Sequence, residues 1–268
     1  MIYMQQTPSP PLRSLVGSLW YCRAPHVSHS RERVLPNGCM QIIFNLSRNY
    51  LTDCGKDGTG NLRLSQAIIS GAGAGYKFVD TADMEELCGI LIRPGGFARL
   101  FHERADLFFE QSIGLDAVWT DPTLIEKLSE PRTPLEKLKT LDALLLTSLL
   151  DNHQQRHEIV DHSMHLLLQK SLSIAQCAHS IGISERYLSR VFREHVGLSP
   201  KLFCRVWRFQ SATRSLHQGV DIPWADLALS CGYYDQPHFA NDFRAFSGID
   251  PTTYSRHPRL WQNHVAVP

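Results

Sequence analysis

Three arginines stand on one face of a short predicted helix in the C-terminal half of the chain. Helical spacing, three or four residues apart, places Arg186, Arg190 and Arg193 on one face of this helix. Leucine, valine and phenylalanine side chains form an apolar stripe on another face. A guanidinium can bond guanine O6 and N7 together in a DNA major groove, and it can also grip a backbone phosphate. The pattern therefore predicts a helix that presents cations to a nucleic acid.

The segment that holds these arginines occurs twice. Residues 174–200 match residues 224–251 in alanines, glycines, phenylalanines and prolines, first at an offset of 50 and, after one added residue, at an offset of 51. Each copy predicts a helix, a tight turn at glycine and a second helix that stops at glycine in a left-handed conformation. The glycines of the two copies are Gly182, Gly197, Gly232 and Gly248. The pattern is that of a helix-turn-helix, repeated, with one long helix joining the two units.

A helix-turn-helix inserts its second helix into the major groove, so the outward polar residues of that helix are the candidates for base reading. We assign base reading to Arg186, Ser189 and Arg190 in the first unit, and to Gln236, His238 and Asn241 in the second. Asparagine and glutamine pair well with adenine, whereas arginine pairs with guanine. We assign DNA phosphates to Arg193, Arg205, Arg208 and Arg244.

The second unit resembles the signature of AraC/XylS-type transcriptional regulators, and the resemblance covers roughly residues 159–257. The matching residues are Ala228, Gly232, Tyr233, Phe239, Phe243, Arg244, Gly248, Pro251 and Tyr254. One departure is that Ser255 separates the tyrosine from the arginine that usually follows it directly. The resemblance implies double-stranded DNA as a partner, and RNA polymerase as a further partner if the protein is an activator.

The N-terminal part is similar to a sensor-type domain found ahead of such DNA-binding units. The similar stretches are "LPNGCMQIIFNL" and "GILIRPGGFARLFHERADLFFEQSIGLDAVW". This similarity implies a mostly β, cupin-like domain and gives no ligand. Family members of this design usually act as homodimers that bind a small-molecule effector through the N-terminal domain.

Strands are predicted in the first third of the chain, where short apolar or alternating runs are separated by glycine and proline turns. The predicted strands cover residues 12–22, 39–47, 65–71, 76–80 and 87–96. Helices are predicted over residues 97–109 and 133–152, and everything from His157 onward reads as helical. We therefore predict an α+β protein. Its N-terminal domain, residues 1–152, is a mostly β cupin-like barrel with a helical end, and residues 153–268 form an all-α DNA-binding domain that folds alone.

A near-heptad leucine spacing marks the predicted helix over residues 133–152. Thr133 can cap this helix, and Pro134 fits its first position. The leucines between Leu135 and Leu149 have two interpretations. They pack on their own domain, or they form the contact of a dimer.

Composition narrows the class of protein. The 268 residues carry a net charge of +1, with 43% hydrophobic and 20% charged residues, as is typical of a folded protein. Residues 155–268 hold 12 Lys and Arg against 9 Asp and Glu, a mild basic bias. No apolar run is long enough for a membrane span and no signal peptide is visible, so we expect a cytoplasmic protein without a membrane partner. The seven cysteines include no C-x-x-C pair, which argues against a zinc site, and we predict no metal or cofactor.

Aromatic residues of the N-terminal part provide candidates for an effector pocket. Trp20, Phe44, Tyr76 and Phe78 either line such a pocket or fill the core of the barrel. No catalytic set is recognisable, so we do not expect an enzyme. Two alternatives are a cupin-like enzyme with a DNA-binding tail, and a DNA-repair adaptor. The adaptor would need a close cysteine cluster, which Cys22, Cys39 and Cys54 do not provide.

Overall fold

The computed structural model describes residues 2–24, 29–150, 158–219, 222–256 and 262–267. Its strands are all antiparallel. One six-stranded sheet has the order β1-β2-β9-β4-β7-β10, a three-stranded sheet has the order β11-β3-β8, and β5 pairs with β6. The strands are β1 (Ile2–Gln6), β2 (Val16–Arg23), β3 (Arg31–Val34), β4 (Met40–Asn45), β5 (Thr52–Asp53), β6 (Leu62–Arg63), β7 (Ala67–Ser70), β8 (Lys77–Asp80), β9 (Leu87–Ile92), β10 (Ser112–Gly114) and β11 (His264–Val267).

The five predicted strands are confirmed as β2, β4, β7, β8 and β9. The prediction that everything after His157 is helical is wrong at β11, which pairs with β3 of the N-terminal part. The remaining unpredicted strands are short or rich in polar residues. Alternation explains the confirmed ones: in β4, Met40, Ile42 and Phe44 are buried in the core, while Gln41 and Ile43 face the other way.

The α-helices follow β9 in the chain, and β10 lies between α1 and α2. They are α1 (Gly96–Phe101), α2 (Leu124–Ser129), α3 (Pro134–Leu150), α4 (Glu158–Gln169), α5 (Ile174–Ile181), α6 (Glu185–Val196), α7 (Pro200–His217), α8 (Trp224–Ser230), α9 (Gln236–Ser247) and α10 (Pro251–Arg256). The single helix predicted over residues 97–109 is interrupted. His102 adopts a left-handed conformation with φ of 57°, and a short 3-10 helix follows at Ala105–Phe108.

Helix α3 packs on its own domain. Thr133 caps it, donating its backbone N–H to Glu136 Oε2 at 3.1 Å and accepting from the Glu136 N–H at 3.3 Å. The buried leucines of the stripe are Leu138, Leu141, Leu145 and Leu149, and α3 packs against β1 and β2. Because these leucines are used internally, the alternative interpretation of this stripe as a dimer contact is not supported.

The predicted junction between the two domains, residues 151–157, lies outside the described residues. On either side of it, one core is continuous: Phe97 and Leu100 of α1 belong to the same apolar cluster as Val191 and Phe192 of α6. A second cluster unites the aromatic side chains of α7 and α9 with Leu35 and Val265. In the part of the chain that the structure describes, no helix combines the length and apolarity needed to cross a membrane.

Candidate nucleic-acid interface and ligand cavity

The first helix-turn-helix unit consists of α5 and α6. Gly182 lies at the predicted tight turn and ends α5 with φ of 78°, and Gly197 ends α6 with φ of 84°, so the predicted left-handed end of α6 is confirmed. Ser184 caps α6 by accepting a hydrogen bond from the Tyr187 N–H at 3.2 Å. The abrupt end at Gly197 lets Ser199 cap α7 at once, with Pro200 at its first position.

The second unit, α8 and α9, repeats this arrangement. Gly232 and Gly248 have φ of 81° and 73°, and Asp235 caps α9 by accepting from the His238 N–H at 2.8 Å. Asp250 then caps α10 by accepting from the Thr253 N–H at 2.9 Å. Each unit therefore offers the exposed N-terminal half of its second helix, which is the part that enters a major groove in this motif.

The first unit's candidate reading face is exposed. Arg186 and Arg190 are exposed on α6 and Ser189 is half-buried. Arg190 extends between the Tyr187 ring, 5.1 Å from its guanidinium carbon, and the Glu194 carboxylate, 3.5 Å from its Nη1. Exposed guanidinium groups held in this way can contact base edges without desolvating a buried charge.

The second unit's candidate residues are also at the surface. Gln236, Asn241 and Arg244 are exposed on α9. His238 is half-buried, with its ring edge-on to Tyr233 at a centroid distance of 5.3 Å and its Nε2 3.9 Å from the Asp242 carboxylate. The second face thus carries amide groups and one imidazole where the first carries arginines.

Arg205, which the sequence analysis assigned to a DNA phosphate, has a partner inside the protein. Arg205 on α7 forms two hydrogen bonds with Asp242 of α9, from Nη2 at 2.7 Å and from Nε at 3.3 Å. The hydrogen bonding between the Arg205 guanidinium and the Asp242 carboxylate raises the pKa of Arg205 above its ordinary value. Arg208 is half-buried with its guanidinium over the Tyr233 ring at 5.3 Å. Both arginines hold α7 to the second unit, whereas Arg193 and Arg244 are exposed.

A cavity of about 980 Å³ lies between the six-stranded sheet and the three-stranded sheet. Trp20, Tyr76 and Phe78 line it, as the effector-pocket hypothesis placed them. Phe44 does not: it is fully buried on the opposite face of β4, and its neighbour Ile43 faces the cavity instead. The inclusion of Phe44 was therefore wrong, because Phe44 belongs with Met40 and Ile42 to the wholly apolar face of β4, which packs in the core.

The cavity wall includes a lysine. Lys77 donates from Nζ to Ser70 Oγ at 3.1 Å and to the Gln111 carbonyl oxygen at 3.3 Å. Burial lowers the pKa of Lys77 from its ordinary value. His217 at the end of α7 and residues 262–264 complete the wall. Sequence reasoning missed these residues, because they lie more than 100 positions from the sheet that they face.

The residues after α10 tie the DNA-binding helices to the N-terminal sheet. Gln262 donates to Gln210 Oε1 at 3.1 Å and to Thr213 Oγ1 at 3.0 Å. Gln210 in turn donates to the Pro36 carbonyl oxygen at 2.8 Å. These bonds fasten α7 to the loop that follows β3.

Strand β11 reinforces the same connection through a buried carboxylate. Glu32 of β3 lies 2.7 Å from His264 Nδ1 and 2.7 Å from His29 Nε2. Burial acts to raise the pKa of Glu32, but the hydrogen bonds and charges of His264 and His29 outweigh it and lower the pKa. The carboxylate is therefore stabilised in its charged form between the two imidazoles.

Both second helices end against the N-terminal part. A Cβ atom on Gly197 would lie 3.2 Å from the Ala105 carbonyl oxygen, and one on Gly248 would lie 2.4 Å from the Tyr76 ring. Arg104 adds an ion pair at the first of these contacts, with Nη1 3.8 Å from Glu194 Oε1. The N-terminal part, which contains the cavity, thus contacts the ends of α6 and α9, the second helices of the two units and the candidate recognition helices.

Comparison with known proteins separates the chain into two matching regions. Residues 177–257 match the family described as a helix-turn-helix domain, and residues 4–114 match a domain of unknown function, DUF6597. The helix-turn-helix-type transcriptional regulator GbdR of Pseudomonas aeruginosa is 25% identical over 123 residues, which cover 46% of this chain and 33% of that protein. The chain thus spans about a third of the length of the first curated relatives that it matches.

Two further relatives each match about a third of the chain. The transcriptional activator AarP of Providencia stuartii is 33% identical over 87 residues, covering 32% of this chain and 64% of that protein. The solved C-terminal domain of the response regulator AraT of Geobacillus stearothermophilus is 25% identical, with a TM-score of 0.34, and covers 37% of this chain and 84% of that one. Together with the repeated and capped units described above, the family match identifies residues 177–257 as a helix-turn-helix domain, and the chain is similar to an AraC-like transcription regulator of Streptomyces lividans.

Proposed function

We propose that the protein is a sequence-specific transcriptional regulator that binds double-stranded DNA through both helix-turn-helix units and a small-molecule effector in its N-terminal cavity. The observation that carries the proposal is the pair of units with the same capping, each of which exposes the polar N-terminal half of its second helix. We place this activity in the cytoplasm, on a homodimer, with RNA polymerase as a further partner if the regulator activates transcription.

Recognition of DNA divides between two helices that enter successive major grooves, about 34 Å apart on one face of the duplex. The base-reading residues of α6 are Arg186, Ser189 and Arg190, which favour guanine. Those of α9 are Gln236, His238 and Asn241, whose amides favour adenine. Arg193 and Arg244 contact phosphates, since each is exposed one turn beyond the reading residues.

The cavity supports control by an effector. Its aromatic side chains offer apolar contacts and Lys77 offers a hydrogen-bond donor, as in other small-molecule sites. Its wall also contains His217 of α7 and the residues that bind α7, so an occupant would touch the DNA-binding part directly.

Selection of preferred sequences from a random duplex library by the full-length protein tests this function. Arg190→Ala should cost about 1–3 kcal/mol at its own base pair and relax the preference there. Asn241→Ala should cost less and should affect only the other half of the site. Lys139→Ala, an exposed cation on α3, is the control and should leave the selected sequence unchanged.

The absence of any preferred sequence with the wild-type protein would exclude sequence-specific recognition. A uniform loss of affinity for all sequences in Arg190→Ala would instead make Arg190 a phosphate contact and move the reading face elsewhere on α6.

A further inference from the structure

One carboxylate on the first recognition helix lies between two arginines of different origin. Glu194 Oε1 is 3.5 Å from Nη1 of Arg190, one turn earlier on α6, and 3.8 Å from Nη1 of Arg104, which belongs to the N-terminal part. The arginine side chains are 58% and 57% exposed, whereas Glu194 is 21% exposed. We propose that Glu194 positions the base-reading Arg190, and that Arg104 sets how strongly it does so. The inference rests on the proposed reading role of Arg190.

Arg190 is constrained on two sides. The Tyr187 ring covers one face of its guanidinium at 5.1 Å, and Glu194 accepts from one of its terminal nitrogens. A guanine needs two parallel donors from the same guanidinium, so a side chain that is already oriented loses less entropy on binding. The same carboxylate also competes with the guanine for Arg190, because any hydrogen bond to Glu194 uses a donor that the base could accept.

Arg104 shifts this competition between Glu194 and the guanine in favour of the guanine. Its Nε and Nη2 are bound to Asp106 at 3.1 and 2.8 Å, which leaves Nη1 directed at Glu194. The two guanidinium groups at the same carboxylate oxygen repel each other, so the net attraction that holds Arg190 at Glu194 is smaller. Arg104 therefore leaves Arg190 oriented but only loosely held, and available to a base.

The fold fixes Arg104 at this place. It stands between the left-handed His102 and the 3-10 helix Ala105–Phe108, which packs against α6. A few residues later, Glu110 and Gln111 line the cavity, and Gln111 accepts from Lys77. A shift of this segment by an occupant of the cavity would move Arg104 relative to Glu194. Base selectivity at the base pair that Arg190 reads would then differ between the empty and the occupied cavity.

The test measures base discrimination, which a purely structural role of these residues would not change selectively. Full-length wild type, Glu194→Gln, Arg104→Gln and the double variant are titrated with the selected duplex and with duplexes altered only at the base pair that Arg190 reads. Thermal unfolding of each variant verifies that it is folded. Lys127→Gln is the matched control, because Lys127 forms an exposed ion pair with Asp121 at 2.9 Å on the same part of the chain.

Arg104→Gln should weaken binding to the selected duplex by up to about fivefold, the range of an exposed ion pair, while affinity for the altered duplexes falls less. Glu194→Gln should lower the ratio between selected and altered duplexes, because Arg190 loses its orienting partner. In the Glu194→Gln background, Arg104→Gln should have no further effect on that ratio. Lys127→Gln should match the wild type.

The two proposals fail separately. If Arg190→Ala leaves the base preference unchanged, Arg190 does not read a base and the proposed reading face is wrong. If Arg190→Ala relaxes the preference but Glu194→Gln retains the wild-type ratio, Glu194 does not position Arg190. An effect of Arg104→Gln that persists without the Glu194 carboxylate likewise overturns the coupling.

Discussion

Asp242 shows how a charge inside the DNA-binding part is kept stable. The carboxylate lies on the buried side of α9 and accepts two hydrogen bonds from Arg205 of α7. A charge that has left water must keep a partner of opposite sign, so the removal of one partner costs more than the pair itself contributes. Arg205 is therefore a structural residue that joins two helices, although its type and position also suit a phosphate contact.

Arg205→Ala should lower the free energy of unfolding by about 2 kcal/mol, since it leaves Asp242 buried without its cation. The salt dependence of DNA binding should stay that of the wild type. Arg244→Ala, a change at an exposed arginine, should give the opposite pattern, with nearly unchanged stability and a salt slope reduced by about 1. Denaturant unfolding and titrations at several salt concentrations distinguish them. A reduced salt slope in Arg205→Ala would restore its assignment as a phosphate contact.

Individual side chains were predictable where periodicity alone decides exposure. The helical period placed Arg186, Arg190 and Arg193 outside and the leucine and phenylalanine of the same helix inside. The partner of Arg205 was not predictable, because Asp242 follows 37 residues later on another helix. The core position of Phe44 was predictable from periodicity, because Phe44 shares the wholly apolar face of β4 with Met40 and Ile42, whereas Ile43 shares its face with Gln41.

At the scale of elements, helix ends were predicted better than strands. Each end is specified locally by a cap or a glycine within a few residues, and the repeat supplied the cap and the final glycine of the second helix twice. Strands such as β3, with the sequence RERV, and β11, with HVAV, have no such signal. They form because a distant strand offers its hydrogen-bonding groups, and this is a tertiary property.

The contrast between two leucines of α3 tests how this helix is used. Leu141 is 0% exposed and Leu135 is 46% exposed on the same helix. Leu141→Ala should destabilise the protein by about 2–5 kcal/mol, through lost burial and a cavity. Leu135→Ala should change stability by less than about 0.5 kcal/mol. Urea unfolding measures both. If Leu141→Ala instead shifted only the oligomeric state in light scattering, the stripe would be an interface after all.

At the scale of the whole molecule, three contacts among the described residues join the two parts of the chain, in addition to the hydrogen bond from Gln210 to Pro36. The first unit shares a core with α1, the ends of α6 and α9 contact the N-terminal part, and β11 extends the sheet of β3 and β8. The expectation that residues 153–268 fold alone stays a prediction, and these contacts give the rest of the chain a share in their stability. No local pattern could reveal the third joint, because its two strands are separated by more than 200 residues.

Val265 is the residue on which this third joint depends most. It is 1% exposed, packs in the cluster that includes Leu35 and the aromatic side chains of α9, and pairs in register with Arg33. Val265→Asp would bury a carboxylate in that apolar cluster and also remove the apolar burial of valine, about 1.5–3 kcal/mol. We expect β11 to leave the sheet, so that the backbone amides of β3 exchange their hydrogens faster.

Val267→Asp is the matched control. Val267 lies two residues further on the same strand and is only half-buried, so the new carboxylate stays in contact with water and the exchange at β3 should stay slow. Hydrogen exchange followed by mass spectrometry over Arg31–Val34 compares the two variants. The loss of β11 should also release Gln262 from Gln210 and Thr213, and α7 should then exchange faster near its buried polar residues. Unchanged protection of β3 in Val265→Asp would mean that the strand pairing does not depend on this cluster, and the C-terminal strand would not be what holds α7 to the cavity domain.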